Sequence, residues 1–209
     1  MARANFVRED ADVRRQSLIA ACAACLAEDG ARGVSVRQVC RRAGVSAGLL
    51  THYFAGIDDL IAATYADTGA KVAAAVAEAV QAAGTDPRAR LEAYVTASFR
   101  PPVLDPDLLA TWLGFWSLVK SDPEVERLHG EINAGFCKGL EEAIRECRPA
   151  PADPDQLRLD AITLNALIDG LWLELCLDQR GPFDADEACA LALKAVGWVL
   201  SQSEPAPPA

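Results

Sequence analysis

The sequence is poor in the residues that catalysis and metal binding draw on most: its 209 residues include two histidines, His52 and His129. No pair of histidines stands at ligand spacing, no serine–histidine–aspartate set can be assembled, and no glycine-rich phosphate loop interrupts the chain. Catalytic residues, metals and cofactors are therefore not expected. Also lacking is any run of about 18 uncharged apolar residues, the length a membrane-spanning helix needs. The N-terminus carries Arg3, Arg8, Glu9 and Asp10 where a secretory signal would place an apolar stretch. No membrane contact is expected, and the cytoplasm is the expected location. Strand-like alternation never holds for more than a few residues, and even "KVAAAVAEAV" keeps helical spacing.

What is present is apolar and acidic. Apolar residues make up 51% of the chain, enough for a sizeable core, and the net charge of −10 argues against a protein that coats nucleic acid. The charge is unevenly spread. Residues 1–55 hold eight arginines against five acidic residues, which leaves +3 there and −13 on the rest. A basic head on an acidic body can touch DNA with one end while the body is repelled, which favours a defined footprint. The seven cysteines are an odd number without an export signal, so reduced thiols are expected. Cys22 and Cys25 form a CxxC with no second pair, inside the helical pattern Leu18, Ile19, Cys22, Ala23, Leu26, where they serve as small hydrophobes.

Helix starts follow from one repeated device, Asp86-Pro87, Asp105-Pro106, Asp122-Pro123 and Asp153-Pro154. In each, the carboxylate can cap the first turn and proline fills the first helical position, where its missing N–H is not needed. The patterning predicts an all-α chain of about nine helices, near 10–29, 35–43, 46–53, 57–82, 87–99, 106–120, 123–147, 154–178 and 183–202. The expected division is a helix-turn-helix DNA-binding domain over 1–56, a ligand-binding and dimerisation domain over 57–203, and a disordered tail over 204–209, where "EPAPPA" has little to bury.

The densest signal is "RRAGVSAGLLTHYF", residues 41–54. Val36, Val39 and Cys40 line one face of a short helix, Gly44 can take the left-handed conformation that ends it, Val45 plugs the turn and Ser46 caps the next helix. Leu50, Phe54 and the ring of Tyr53 then return to the core. Ala47, Gly48, Leu49, Thr51 and His52 are left mostly outside, near the start of the second helix. This is the helix-turn-helix layout, whose second helix meets base edges in the major groove.

The longer string "GVSVRQVCRRAGVSAGLLTHYFAGIDDLIAATY", residues 33–65, resembles the DNA-binding head of TetR-family transcriptional regulators. The likeness includes the Ala43-Gly44-Val45-Ser46 turn, the Tyr53-Phe54 pair and Asp59-Leu60. "TWLGFWSLVKSDPEVERLHGEI" (111–132) and "ALIDGLWLELCL" (166–177) resemble the body of the BetI-type branch, whose namesake represses choline-to-betaine genes, and Thr51-His52-Tyr53-Phe54 suits that branch. The resemblance spans most of residues 8–200. It implies DNA contacts from Arg37, Arg41 and Arg42, with Ser35, Ser46, Thr51 and Tyr53 as hydrogen-bond donors. For the arginines the alternative is a solvated helix face, and for His52 packing against the helix pair. One departure stands out: the family commonly places lysine on a DNA phosphate where this chain has Ile57.

In the body, Leu109, Trp112, Trp116 and Val119 follow helical spacing, as do Leu108, Trp112, Phe115 and Val119. Trp112, Phe115 and Trp116 are either core or the wall of an effector pocket. Asp169 stands in an apolar run near Asn165, Trp172 and Cys176. It is either a salt-bridge partner or, with Trp172, the counter-charge for a quaternary ammonium. His129 is expected at the surface. Gly170 at mid-helix suggests a close helix approach, and the last helix has two apolar sides. The expected dimer interface comprises Gly170, Ala192, Leu193, Val196, Val199 and Leu200, in a four-helix arrangement. Together these features predict a repressor: a homodimer on double-stranded DNA at a pseudo-palindromic operator, released by a small-molecule effector. A neutral or anionic effector, or a helical carrier or enzyme with a degenerate head, are the alternatives.

Overall fold

The computed structural model describes residues 2–148, 152–177 and 181–202, without the side chains of 2–10 and Cys176. The expected tail over 204–209 lies outside the described residues. Among those described there is no strand, and the helices are α1 (Ala2–Asp29), α2 (Val36–Ala43), α3 (Ala47–Tyr53), α4 (Ile57–Ala82), α5 (Pro87–Thr96), α6 (Pro106–Trp116), α7 (Pro123–Glu146), α8 (Pro154–Leu177) and α9 (Ala185–Ser201). No described helix is long and apolar enough to cross a membrane.

The caps behave as the Asp-Pro pattern predicts. The Asp86 carboxylate accepts from the Ala89 amide at 2.8 Å, Asp122 from Glu124 at 2.9 Å and Asp153 from Asp155 at 3.0 Å. Three helix ends differ from expectation by three residues or more, the first being the start of α1, at Ala2 rather than near 10. α5 gives way at Ala97 to a 3-10 turn that runs to Phe99, two residues before the prolines at 101 and 102 that no helix interior tolerates. α6 stops at Trp116 rather than 120, because the Ser117 hydroxyl donates to Gly114 O at 2.7 Å and the Leu118 amide closes on Phe115 O at 2.8 Å, tightening the last turn.

The chain forms two compact units that do not follow a cut at residue 56. Unit 1 is the first 70 residues with Pro106–Gly130, and unit 2 is Lys71–Asp105 with the residues from Glu131 onward. α6 belongs with the head because it lies directly on α1. A Cβ on Gly114 would stand 3.2 Å from Leu26 Cδ2, so glycine eases an approach that a larger residue could make only by shifting Leu26 a few tenths of an ångström, and the Thr111 hydroxyl lies 3.2 Å from Ala23 O. Around this contact Leu18, Ile19, Cys22, Leu26, Leu50, Leu60, Tyr65 and Phe115 are all essentially inaccessible to solvent. The core of unit 2 is built from Leu91, Val95, Phe99, Leu140, Ile144, Leu157, Leu164, Val196 and Val199.

Candidate nucleic-acid interface and effector residues

Local chemistry sets the geometry of α2 and α3. Ser35 caps α2, its oxygen accepting from the Gln38 amide at 3.3 Å while its hydroxyl donates to Gln38 Oε1 at 2.6 Å. Gly44 follows α2 at φ 67°, a conformation that a side chain would strain, and the Val45 amide closes on Cys40 O at 3.0 Å. Ser46 restarts the helix by accepting from the Leu49 amide at 3.3 Å. Val39, Leu50 and Phe54 are drawn inside, and Arg15 of α1 sits over the Phe54 ring at 5.1 Å. That cation–π contact ties the first helix to the end of α3, and no local sequence pattern announces it.

Ala47, Gly48, Thr51 and His52 are exposed on α3, with Leu49 and Tyr53 half-buried; Arg37, Arg41 and Ser46 are also exposed. The His52 ring meets Tyr53 edge-on at 5.0 Å. Three donors are committed within the chain. The Thr51 hydroxyl donates to Gly48 O at 3.1 Å and the Ser35 hydroxyl to Gln38, so each presents an acceptor oxygen rather than a donor. Arg42 pairs with Glu28 of α1 instead of standing open like Arg41, and the same carboxylate raises the guanidinium pKa. Ile57 opens α4 half-buried, followed by Asp58 and by Asp59, whose carboxylate accepts from the Ala55 amide at 2.9 Å.

The expected effector residues fall in different units. In unit 1, Trp112 meets Tyr65 edge-on at 5.1 Å and Phe115 meets it at 4.4 Å. Phe115 has no exposure and Trp112 only 7%, so both are buried in the interior of unit 1 around Tyr65. Trp116 is half-buried. His129 is not a plain surface residue: its Nδ1 lies 2.9 Å from the hydroxyl of buried Tyr65. In unit 2, Trp172 is buried and Asp169 exposed, accepting from Asn165 Nδ2 at 3.1 Å, while the same amide reaches Asn133 Oδ1 at 2.9 Å. Burial and then Asp169 push up the thiol pKa of Cys137.

The α9 expectation is corrected in part. Ala192, Val196 and Val199 are buried inside their own unit, so the side of α9 that faces outward is marked by Leu191 and Trp198, with Leu193 and Leu200 half-buried. On α8, Leu159 and Ile162 are exposed, as are Ala166 and Gly170, and a Cβ on Gly170 would meet nothing within 4 Å. No neighbour among the described residues requires that glycine.

A head in which a capped short helix, a glycine turn and a second capped helix expose a small polar face, beside arginines and attached to a helical body, defines a helix-turn-helix DNA-binding regulator. The comparisons place it more narrowly. The sequence model described as bacterial regulatory proteins of the tetR family matches residues 18–64, and that of the C-terminal part of BetI-type transcriptional repressors matches residues 87–200. The chain belongs to the TetR family, in its BetI-type branch. The HTH-type transcriptional regulators BetI of Burkholderia thailandensis and Burkholderia lata are 36% and 35% identical over 198 residues, covering 91% of this chain and 95% of each of theirs. A transcriptional regulator of Pseudomonas aeruginosa superposes with a TM-score of 0.82 at 36% identity, covering 91% of both chains. A regulator of Saccharomonospora viridis, crystallised in complex with choline, has a TM-score of 0.73 at 21% identity over 88% of this chain and 95% of that one, a likeness of fold. The protein is a ligand-responsive, DNA-binding transcriptional regulator and not an enzyme.

Proposed function

We propose that the protein is a cytoplasmic homodimeric repressor whose two heads occupy the half-sites of a pseudo-palindromic operator. The observation that carries this reading is the exposed start of α3, with Ala47, Gly48, Thr51 and His52 outward and the helix held at both ends by Ser46 and buried Phe54. Small residues at the helix start let its backbone come close to base edges, with Leu49 and Tyr53 at the margins. Arg37 and Arg41 supply phosphate contacts, and Ser35 and Ser46 stand at helix N-termini, where anions are favoured. Arg42, paired with Glu28, braces α2 against α1 instead.

Dimerisation uses the outward sides of α8 and α9: Leu159, Ile162, Ala166, Gly170, Leu191, Leu193, Trp198 and Leu200. The Gly170 surface gives a second copy room for close approach. The effector is a quaternary ammonium such as choline, consistent with the BetI relatives and with the choline-bound regulator of the same fold. Trp172 and Asp169, both in unit 2, are the residues assigned to it, because an aromatic face and a carboxylate suit a cation. Release requires tighter binding of the effector to the DNA-free state, with a coupling of about 1–3 kcal/mol.

A gel-shift assay with the DNA flanking the protein's own gene, titrated with choline, tests the reading. A specific complex that choline dissolves is expected, and Asp169→Asn should weaken the choline response at least about tenfold while leaving the ligand-free complex intact. A complex insensitive to choline would retire the cation, and no complex at all would retire the repressor.

A further inference from the structure

Unit 2 contains a cleft of about 150 Å³ bounded by the second half of α4, by α5 and by the segment after it. Ala75, Ala79, Ala93, Pro101, Pro102 and Val103 line it with apolar atoms, and two further side chains, Thr96 and Arg100, bring polar ones. An inventory of donors narrows the possible occupant. Proline has no N–H to offer. The Thr96 hydroxyl is spent on Glu92 O at 2.8 Å, and the Arg100 amide on Ala97 O at 3.3 Å. Among the lining side chains the Arg100 guanidinium remains, with five N–H donors in a planar fork. Its Nη1 donates to Asp186 Oδ1 at 2.5 Å, on a side chain that is half exposed.

We infer that this cleft binds a short aliphatic monocarboxylate, with its chain among the alanine, proline and valine walls and its carboxylate on Arg100. A volume near 150 Å³ holds a molecule about the size of benzene, which corresponds to an acid of roughly four to six carbons. The site differs in kind from the cation site proposed above. The positive charge of Arg100 in the lining repels a quaternary ammonium, and none of the described lining residues is aromatic. Because Asp186 stands in the first turn of α9, whose outer side carries Leu191 and Trp198, a bound carboxylate that shares Arg100 with Asp186 acts directly on the start of that helix.

Calorimetric titration of the full chain with sodium pentanoate, and with n-pentanol as the uncharged isostere, tests the assignment. Pentanoate is expected to bind saturably in the millimolar range or tighter, and pentanol at least about tenfold more weakly, since a charge-assisted hydrogen bond is about twice as strong as a neutral one. Arg100→Gln should weaken pentanoate at least about tenfold. Asp186→Asn removes the same ion pair but keeps the guanidinium, so it should bind pentanoate as tightly as the wild type or more so. Ala79→Leu fills the cleft and should abolish binding. Should that variant fail to fold, the exposed pair Arg100→Gln and Asp186→Asn decides the matter. The inference is overturned by absence of saturable pentanoate binding, by equal binding of pentanol, by equal loss in Arg100→Gln and Asp186→Asn, or by a folded Ala79→Leu that binds normally.

Discussion

The two units distribute polarity in opposite ways. Unit 1 exposes Arg37, Arg41, Thr51 and His52 around α2 and α3, and buries polar groups that are uncharged: Thr64, Thr68 and Thr111, each with its hydroxyl bonded to the carbonyl four residues earlier. Unit 2 exposes Leu159, Ile162, Leu191 and Trp198, and buries an ion pair. Arg148 and Asp160 meet at 2.5 Å with side chains only 4% exposed, and Arg148 also donates to Val199 O at 3.0 Å. A surface that meets a hydrated, charged polymer needs donors and positive charge outside. One that meets another protein needs apolar area.

The largest expected effect tests the buried charge. Arg148→Met leaves the Asp160 carboxylate in the interior with Gln156 Nε2, at 2.9 Å, as its remaining hydrogen-bond partner. Breaking a buried pair from one side costs about 3–5 kcal/mol, whereas replacing both partners with apolar residues is often neutral. Urea unfolding should therefore show a large loss for Arg148→Met, recovered mostly by Arg148→Met with Asp160→Leu, and hardly any change for Arg42→Met at the exposed Arg42–Glu28 pair. Similar losses at both pairs would erase the contrast between the units.

The exposed apolar face comes next. Trp198, with 55% of its surface accessible, has the character of an interface anchor, and such residues cost about 2 kcal/mol or more on truncation. Trp198→Asp should raise the dimer dissociation constant about thirtyfold or more by sedimentation, at unchanged helicity. A variant that sediments like the wild type would remove this face from the interface.

The interior of unit 1 predicts a somewhat smaller effect, confined to alkaline pH. Burial pushes the Cys22 thiol from 9.0 up to about 11, partly offset by its hydrogen bond with Thr64. The folded state thus holds the proton more tightly than the unfolded chain. The stability this contributes is complete below pH 9 and is lost as pH rises towards about 11, a fall of roughly 2 kcal/mol. Unfolding free energies measured across that range should fall less steeply in Cys22→Ala; parallel curves would mean that the thiol is not responsible.

Much of this arrangement is legible in the chain because its causes are local. Ser35, Gly44 and Ser46 act within four residues of the bonds they make or the turn they shape, and the Asp-Pro pairs cap helices through their own first turns. The parts that are not legible depend on partners distant in sequence. The helix holding Trp112 and Phe115 is apolar around most of its circumference, so periodicity cannot say that both turn toward Tyr65. The two sides of α9 are equally apolar on paper, and contact with α5 and α8 decides that Val196 goes in and Trp198 stays out. Arg42 looks like Arg41 until Glu28, on another helix, claims it.

The smallest expected effect lies at Ile57, where the head departs from its family. The residue opens α4 and is half-buried, so its side chain can be lengthened toward solvent without emptying the core. A lysine there works slightly against the helix, since the first turn of a helix favours negative charge and already carries Asp58 and Asp59. That cost is a few tenths of a kcal/mol and is compensated only if a phosphate lies within reach. Each neutralised phosphate contributes about 0.9 to the slope of log affinity against log salt. With one such contact per half-site, Ile57→Lys should steepen the slope of the dimer by roughly 2, while affinity at moderate salt changes little. The slope is the informative quantity because it counts charges on DNA and ignores how well the head folds. A steeper slope would extend the basic surface of unit 1 from α2 to the start of α4, and an unchanged one would confine it to Arg37, Arg41 and the turn between α2 and α3.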